Sequence, residues 1–541
     1  MPMLAAGAYW ALSHLLILAS LLWLVWLRAR ASRGGGAQRV MDRLGSGGGP
    51  LFSATVIALV AAQCALYLGL PNFNDYGEPT IPLLAGNILH GAPVYGDWQA
   101  NRAIVGSNYG PYVFLSQIPA LLWLPNVFGS KLLGVLCALG ALLATFGAVR
   151  RRSGSTALAL ALTALMTALL ATELNCWFWN RPDSFLLAFS AIAVLLLETA
   201  RPAVCLIAVG LLAGLALNFK LFGPIYLIPV ALVCVATSRS WRALLGALLA
   251  GGGLFVLAVL APFALPSFSA PVYLANLLAM PRQGFFVLGF WQSLVYGLVI
   301  LATPVLSWRT ATASPQDRLL GASLVVCAIV VAIVSGKPGG GTPYMMPLIP
   351  VSLYLTARLA SRQTNSPESA PRLPNHRMVL LAVLVFAAPC WAFEWWQLAR
   401  HASASGVERA QAAELRSLFL AYPGSEVGHN SGPAQDEYLR AEKAFLGQTT
   451  RFDYVNVIDQ MAAGQPASAL HPLFERCNVP SWILSRQGGR LLGADWSGRP
   501  LFDAGSRARF YTNYELAGRY RFYEVWRCRR DTTPKRLAPP S

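Results

Sequence analysis

Charged side chains are scarce in this 541-residue sequence, at 12% of all residues. Soluble globular domains carry about 25% charged residues, so the composition argues against a wholly soluble protein. Histidine is scarce as well, with six in all, and no HExxH or Cys/His zinc spacing occurs. The chain also lacks a GxSxG elbow, a Walker GK[ST] motif and a GxGxxG turn after a strand. These absences exclude the usual soluble sites for nucleotides, zinc and serine-based hydrolysis.

Long apolar runs are abundant instead, and hydrophobic residues make up 55% of the chain. Runs of about 17–25 residues recur from Ala5 to Trp396, and each is long enough to cross a bilayer. The first run, Ala5 to Leu27, lacks a basic start and a clear cleavage site, so we interpret it as a retained helix. The sequence therefore predicts a mainly α fold, a polytopic membrane helix bundle of about 12 spans.

The net charge of +18 comes largely from arginines in short loops between apolar runs. Placing the five most basic loops in the cytoplasm satisfies the positive-inside rule, so no nucleic-acid partner is expected. Those loops cover residues 28–43, 150–152, 239–242, 309–318 and 358–377. Both chain ends then lie outside, and the predicted spans are 5–27, 51–70, 130–149, 156–178, 184–199, 203–219, 222–238, 243–265, 286–306, 319–335, 342–357 and 378–397.

One apolar stretch, residues 112–127, does not fit this topology as a full span. Counting it as a crossing would move basic loops to the wrong side. It also contains Pro119 and Pro125, which interrupt helical hydrogen bonding. We interpret it as a re-entrant or interfacial helix, which indicates a cavity on the outer face.

Two acids, Asp75 and Glu78, follow the predicted span 51–70 at the outer face. Their spacing of three places both on one side of a helix. One interpretation is capping of a helix that begins near Thr80. The other is a general base or a ligand of a divalent metal ion, the one cofactor that the sequence suggests.

Cations also collect at the predicted outer face, where the positive-inside rule expects few. Arg181 and Lys220 end spans, so each is either a snorkelling side chain or an anion ligand. Asp183 is a candidate partner of Arg181. Lys337 lies among glycines, whose backbone N–H groups can approach an anion, although a flexible loop is the alternative. We predict that these three cations bind a donor phosphate.

Five residues are predicted to line a substrate cavity on the same face. They are Tyr95, Tyr109, Asp183, Arg282 and Tyr344. For Tyr95 and Tyr109, a place in the membrane-interface belt or in the core is the alternative.

From residue 401 to the end, the composition becomes that of a soluble domain. Residues 408–422 predict an amphipathic helix, and residues 481–486 and 519–528 predict strands. We expect a small extracytoplasmic α/β domain. Cys477 and Cys528 are its two cysteines, and an oxidising compartment together with neighbouring strands predicts a disulfide between them. Two unpaired thiols are the alternative.

Four ordered segments resemble the GT-C superfamily of membrane glycosyltransferases over roughly residues 51–357. These segments are LLAGNILHGAPVYGDW (83–98), YGPYVFLSQIPALLWLPNVFG (109–129), RPDSFLLAF (181–189) and KPGGGTPYMMPLIP (337–350). The superfamily includes protein O-mannosyltransferases and bacterial aminoarabinose and arabinosyl transferases. The resemblance implies sugar transfer from a polyprenyl-phosphate donor at the outer face. It also implies a catalytic acid in the first outer loop, Asp75 with Glu78 as alternate. The acids are three apart here, whereas the family often has them adjacent, and span 5–27 is additional.

The expected organisation is an extra span and basic loop (1–50), a catalytic membrane domain (51–400) with its outer loop (71–128), and the C-terminal domain (401–541). The expected reaction transfers a hexose or pentose to a glycan, lipid or protein of the cell envelope, in the bacterial inner membrane with the site on the periplasmic side. A transporter or flippase of a lipid-linked anionic glycan, or a lipid-linked glycan polymerase or ligase, is the alternative.

Overall fold

The computed structural model of this chain describes residues 49–96, 103–173, 176–308, 313–363, 376–429, 436–494 and 499–529. The predicted span 5–27 lies outside these residues. Within them the first ten α-helices are α1 (Gly49–Gly69), α2 (Thr80–Leu89), α3 (Pro111–Leu115), α4 (Ile118–Trp123), α5 (Val127–Ser153), α6 (Thr156–Leu170), α7 (Pro182–Thr199), α8 (Pro202–Leu217), α9 (Ile228–Thr237) and α10 (Trp241–Leu260).

The next helices are α11 (Ala270–Ala279), α12 (Val287–Trp308), α13 (Pro315–Ser335), α14 (Ile349–Gln363), α15 (His376–Ala421), α16 (Asp436–Leu439), α17 (Glu442–Phe445), α18 (Tyr454–Ala462), α19 (His471–Glu475) and α20 (Ala504–Asn513). The described 3-10 turns are Ala171–Glu173, Gly223–Leu227, Ala261–Ala264, Met280–Gln283, Thr342–Leu348 and Ala467–Leu470. The described strands are β1 (Glu426–Val427), β2 (Ser481–Ser485), β3 (Tyr514–Arg519) and β4 (Tyr523–Cys528).

Two compact units divide these elements. The first unit contains the described residues of Met1–Leu68, Gly134–Leu260 and Phe285–Arg400. The second contains those of Gly69–Leu133, Ala261–Gly284 and His401–Ser541. The sequence groups residues 71–128 with the membrane domain, whereas the second unit combines residues of that loop with the C-terminal segment.

Six helical segments are long and apolar enough to cross a membrane. They are Val127–Ser153, Thr156–Glu173, Pro182–Thr199, Trp241–Ala264, Val287–Val305 and Pro315–Ser335. Shorter apolar helices cover Ser53–Gly69, Thr80–Leu89, Pro202–Leu217 and Gly223–Thr237. The structure therefore confirms a mainly helical membrane protein, with six long spans in the described part where the sequence predicts about 12 over the whole chain.

The predicted span 342–357 is interrupted. Residues Thr342–Leu348 form a 3-10 turn with Pro347 inside it, and α14 begins only at Ile349. Proline removes a backbone donor and clashes with the preceding turn, which explains the break. The segment 112–127 likewise forms two short helices, α3 and α4, rather than one span. Neither α3 nor α4 is long enough to cross a membrane.

Helices α8 and α10 pack together through glycine. A Cβ atom on Gly210 would lie 2.4 Å from the carbonyl oxygen of Gly251. One on Gly214 would lie 2.6 Å from the carbonyl oxygen of Phe255. Small residues allow such close approach of backbones, which is how membrane helices gain packing contacts. Asn218, just after α8, strengthens the contact by donating to the carbonyl oxygens of Ala258 and Val259, at 3.0 Å each.

The second unit contains a four-stranded sheet in the order β1-β2-β4-β3. Strand β1 pairs parallel with β2, and the other pairings are antiparallel. The predicted strand 481–486 matches β2, whereas the predicted strand 519–528 divides between the end of β3 and β4. A disulfide joins Cys477 to Cys528, with their Cα atoms 5.9 Å apart. The predicted helix 408–422 lies in the C-terminal part of α15.

Candidate active site

The ends of α7 and α8 bring polar residues together in the first unit. Helix α7 begins after Arg181 with Pro182 as its first residue, where the missing proline N–H leaves no donor unsatisfied. The connection from α7 to α8 is two residues long, so the helices run antiparallel. The start of α7 therefore lies at the same end as the residues that follow α8, including Lys220.

Lys220 and Asp183 form a buried ion pair at this end. The lysine Nζ donates to the Asp183 Oδ1 at 2.6 Å, and both side chains are only 4% exposed. The sequence suggests Arg181 as a candidate partner of Asp183; the hydrogen bond from Lys220, 37 residues away, is one that the sequence does not predict. A carboxylate in the first turn also suits the positive end of the helix dipole.

Aromatic rings cover the lysine. Its Nζ lies 3.9 Å from the ring centroid of Tyr344 and 5.8 Å from that of Phe222. The backbone of Tyr344 is also fixed, because the hydroxyl of Tyr226 donates to its carbonyl oxygen at 2.6 Å. The cation therefore has a fixed position, with a carboxylate and an aromatic face as neighbours.

Two more cations act electrostatically on Lys220. Burial lowers the pKa of Lys220 from 10.5 to about 8; the charge and hydrogen bond of Asp183 oppose that shift, while the positive charges of Arg181 and Lys337 add to it. Arg181 and Lys337 are both half-buried. The structure thus brings together the three cations that the sequence assigns to a phosphate. Among the charges that act on Lys220, the carboxylate of Asp183 attracts it, and the cations Arg181 and Lys337 repel it.

The glycines around Lys337 shape a tight turn. Gly339 has a φ of +76°, a conformation that favours glycine. A Cβ on Gly340 would lie 2.7 Å from the carbonyl oxygen of Ser335. The N–H groups of Gly336, Lys337 and Gly340 donate to backbone carbonyl oxygens of this segment. These three amides therefore already have carbonyl acceptors.

Sequence reasoning missed Glu173 near the end of α6. Its side chain is buried, and its Oε2 accepts a 2.6 Å hydrogen bond from Thr342. Thr342 begins the 3-10 turn that carries Tyr344. An acid inside an apolar run is a functional signal in membrane proteins and would have identified Glu173.

In the second unit, the loop after α1 places the two predicted acids in different roles. Glu78 is fully buried, and its Oε2 accepts the N–H groups of Asn74 at 2.8 Å and Asp75 at 3.1 Å. Asp75 is 9% exposed, and its Oδ2 accepts the N–H of Gly77 at 3.2 Å. Helix α2 has no side-chain cap, so the capping interpretation is wrong. Glu78 organises the loop, and Asp75 is the more accessible acid.

A buried lysine that the sequence analysis does not single out faces Glu78. Lys131 is fully buried, and its Nζ donates to the carbonyl oxygen of Leu70 at 3.3 Å. Its charge interacts with those of Glu78 and Glu408. Glu78 is therefore engaged by backbone donors and by a lysine within the second unit.

The remaining predicted cavity residues of the second unit occupy other surroundings. Tyr95 is buried against Phe114, Phe268 and Tyr273, and its hydroxyl donates to the carbonyl oxygen of Tyr109 at 2.7 Å. This packing accounts for Tyr95 without a ligand. Tyr109 is half-buried. Arg282 is exposed on the turn Met280–Gln283. Within the part of the chain that the structure describes, no group of three or more His, Cys, Asp or Glu side chains could hold a metal ion.

Two solved structures resemble this chain. The crystal structure of ArnT from Cupriavidus metallidurans in the apo state has a TM-score of 0.53 and 15% identity, over 88% of this chain and 97% of that chain. The crystal structure of the same protein bound to undecaprenyl phosphate has a TM-score of 0.54, with the same identity and coverage. No protein-family model and no curated protein matches. The chain therefore has an ArnT-like fold, and the fold implied by the GT-C resemblance is confirmed.

Proposed function

We propose that this chain, with its ArnT-like fold, is a membrane glycosyltransferase. It would transfer a hexosyl or pentosyl group from a polyprenyl-phosphate donor to a glycan, lipid or protein acceptor of the cell envelope. The observation that carries the proposal is that the positive charges of Arg181 and Lys337 both act on the buried Lys220, which is paired with Asp183. A lipid phosphate supplies the negative charge that such a set can hold. One of the two ArnT crystal structures is bound to undecaprenyl phosphate, which supports a donor of this class.

The chemistry requires a base and a stabilised leaving group. The acceptor hydroxyl oxygen attacks the anomeric carbon of the sugar, and the bond from that carbon to the phosphate oxygen breaks. The hydroxyl proton passes to a carboxylate, for which we propose Asp75. The polyprenyl phosphate leaves with the bonding electrons, and the three cations stabilise its new charge. We place these events at the outer, periplasmic face of the inner membrane, because the topology derived from the basic loops favours it.

The test uses purified protein in lipid nanodiscs with a panel of undecaprenyl-phosphate sugars and a cell-envelope acceptor fraction. The measurement is acceptor-dependent release of undecaprenyl phosphate by mass spectrometry. Asp75→Asn should lower kcat at least about 100-fold with donor affinity retained, because it removes the base. Lys220→Met should weaken donor binding, because it removes a phosphate ligand.

Glu78→Gln is the matched control for Asp75→Asn, since both replace a carboxylate by its amide. We expect Glu78→Gln to lower thermal stability more than Asp75→Asn, because Glu78 organises the loop. Full activity of folded Asp75→Asn would contradict the assignment of the base. Translocation of a lipid-linked glycan by reconstituted vesicles, without release of undecaprenyl phosphate, would contradict the enzyme and favour a transporter.

A further inference from the structure

The C-terminal segment contacts the loop of Asp75 at one backbone oxygen. The carbonyl oxygen of Tyr76 accepts a hydrogen bond from Arg440 Nη2 at 3.1 Å and another from the Tyr454 hydroxyl at 3.2 Å. Arg440 and Tyr454 both lie in the second unit, as Tyr76 does. Two donors from a distant part of the sequence therefore converge on the residue that directly follows Asp75.

Arg440 is itself held firmly. Its guanidinium lies 4.1 Å from the ring centroid of Tyr454, and its Nη2 lies 3.2 Å from the Oδ1 of Asp453. The same nitrogen bonds to the hydroxyl of Thr80, the first residue of α2. Arg440 is only 5% exposed and Asp453 is fully buried, so water competes little for these contacts. The contacts with Tyr76 and Thr80 fix both sides of the turn between Asp75 and α2.

The peptide group after Tyr76 connects this contact to the carboxylate of Asp75. The carbonyl of Tyr76 and the N–H of Gly77 belong to one planar peptide unit. That N–H donates to the Asp75 Oδ2 at 3.2 Å. Fixing the carbonyl at one edge of the plane therefore fixes the direction of the N–H at the other edge, and with it the carboxylate that accepts from it.

We propose that Arg440 and Tyr454 are positioning residues that orient the Asp75 carboxylate through the Tyr76–Gly77 peptide. The catalytic part of this inference rests on the proposed function, in which Asp75 is the base. The C-terminal segment thereby has a defined task in the reaction, besides any contact it makes with an acceptor. A base held in one orientation reacts faster than a mobile one, because productive geometry need not be found again at each turnover.

Tyr454→Phe is the sharpest test, because it removes one hydroxyl and keeps the ring beneath Arg440. We expect kcat to fall about three- to tenfold with the donor KM unchanged, as for the loss of one orienting hydrogen bond. Tyr514→Phe is the matched control. Its hydroxyl also donates to a backbone carbonyl, that of Val479 at 2.6 Å, in the core of the same unit. We expect this control to change stability but not kcat.

Amide hydrogen exchange supplies a readout that does not depend on the enzyme assay. Tyr454→Phe should speed exchange at residues 74–77, and Tyr514→Phe should not. Arg440→Lys, which keeps the charge, should fall between wild type and Arg440→Ala in both exchange and kcat.

If Tyr454→Phe equals Tyr514→Phe in exchange and kcat, the inference is wrong. Faster exchange with unchanged kcat in an active enzyme would also overturn it. If the wild type transfers no sugar, the proposed function and the catalytic part of the inference both fail, while faster exchange would still support the loop contact.

Discussion

Donor binding should weaken as pH rises through about 8, because Lys220 must carry its proton to hold a phosphate. Burial lowers the pKa of Lys220 from 10.5 to about 8. A lysine with that pKa is about 90% protonated at pH 7 and about 10% protonated at pH 9. If only the protonated form binds, affinity for the donor falls roughly tenfold between those two pH values. An ordinary exposed lysine, with a pKa of about 10.4, would stay almost fully protonated between pH 7 and pH 9, so the affinity would hardly change.

Two neighbours should move this midpoint in opposite directions. Asp183→Asn removes the carboxylate that raises the pKa of Lys220, so the loss of affinity should begin at a lower pH. Lys337→Met removes a charge that lowers the same pKa, so the loss should begin at a higher pH, although affinity is weaker throughout. Opposite shifts from two substitutions are hard to obtain from a general loss of structure.

The assay measures equilibrium binding of a lipid-phosphate sugar from pH 6 to pH 10. This donor is a phosphodiester, which keeps one negative charge over the range, so the ligand does not titrate. Lys220→Met should bind the donor more weakly, and its affinity should show no change in slope near pH 8. Arg239→Gln removes an exposed arginine from the connection before α10 and is the control for net charge. A break that persists in Lys220→Met, or shifts of equal sign in the two neighbour variants, would refute the reasoning.

Two further predictions concern the second unit. Reducing the Cys477–Cys528 bridge, whose cysteines are 51 residues apart, should lower the free energy of unfolding by about 4 kcal/mol in the chain-entropy model. A lower Tm in Cys477→Ser would support this, and alkylation of both thiols without reductant would contradict the bridge. Burial raises the pKa of Glu442 from 4.5 to about 7, against the charge of Arg416, so the folded state holds a proton that the unfolded state releases. Stability should therefore fall as pH rises from about 4.5 to 7. Glu442→Gln should flatten the change in Tm between pH 5 and pH 8, and an unchanged difference would contradict this.

The long spans could be predicted from sequence because hydropathy adds up over about twenty residues. The predicted spans 130–149 and 319–335 lie within α5 and α13. Residues 342–357 also have the required apolar content, but composition carries no information on the backbone break. Pro347 and the preceding glycines are visible in the sequence, yet glycines beside a lysine suit an anion loop as well as the tight turn that the structure contains.

The pairing of charges could not be predicted from sequence. Asp183 lies two residues from Arg181, so the local partner is the natural expectation. Lys220, which also pairs with Asp183, is 37 residues away and approaches because α7 and α8 are antiparallel. The contact of Arg440 with Tyr76 spans an even longer separation of 364 residues. Such contacts depend on how elements pack, which periodicity and spacing do not specify.

The charge arrangement around Lys220 is itself an argument for a ligand. Removing a lysine from water destabilises its charged form, and a single carboxylate offsets only part of that effect, since the pKa of Lys220 stays well below 10.5. The positive charges of Arg181 and Lys337 add to that destabilisation. A bound anion would attract Lys220, Arg181 and Lys337 together and so offset the repulsion among these cations. It would also raise the pKa of Lys220, so the protein should take up a proton when the donor binds near pH 8. Proton uptake measured in weakly buffered solution would detect this, and its absence would mean that the phosphate binds away from Lys220.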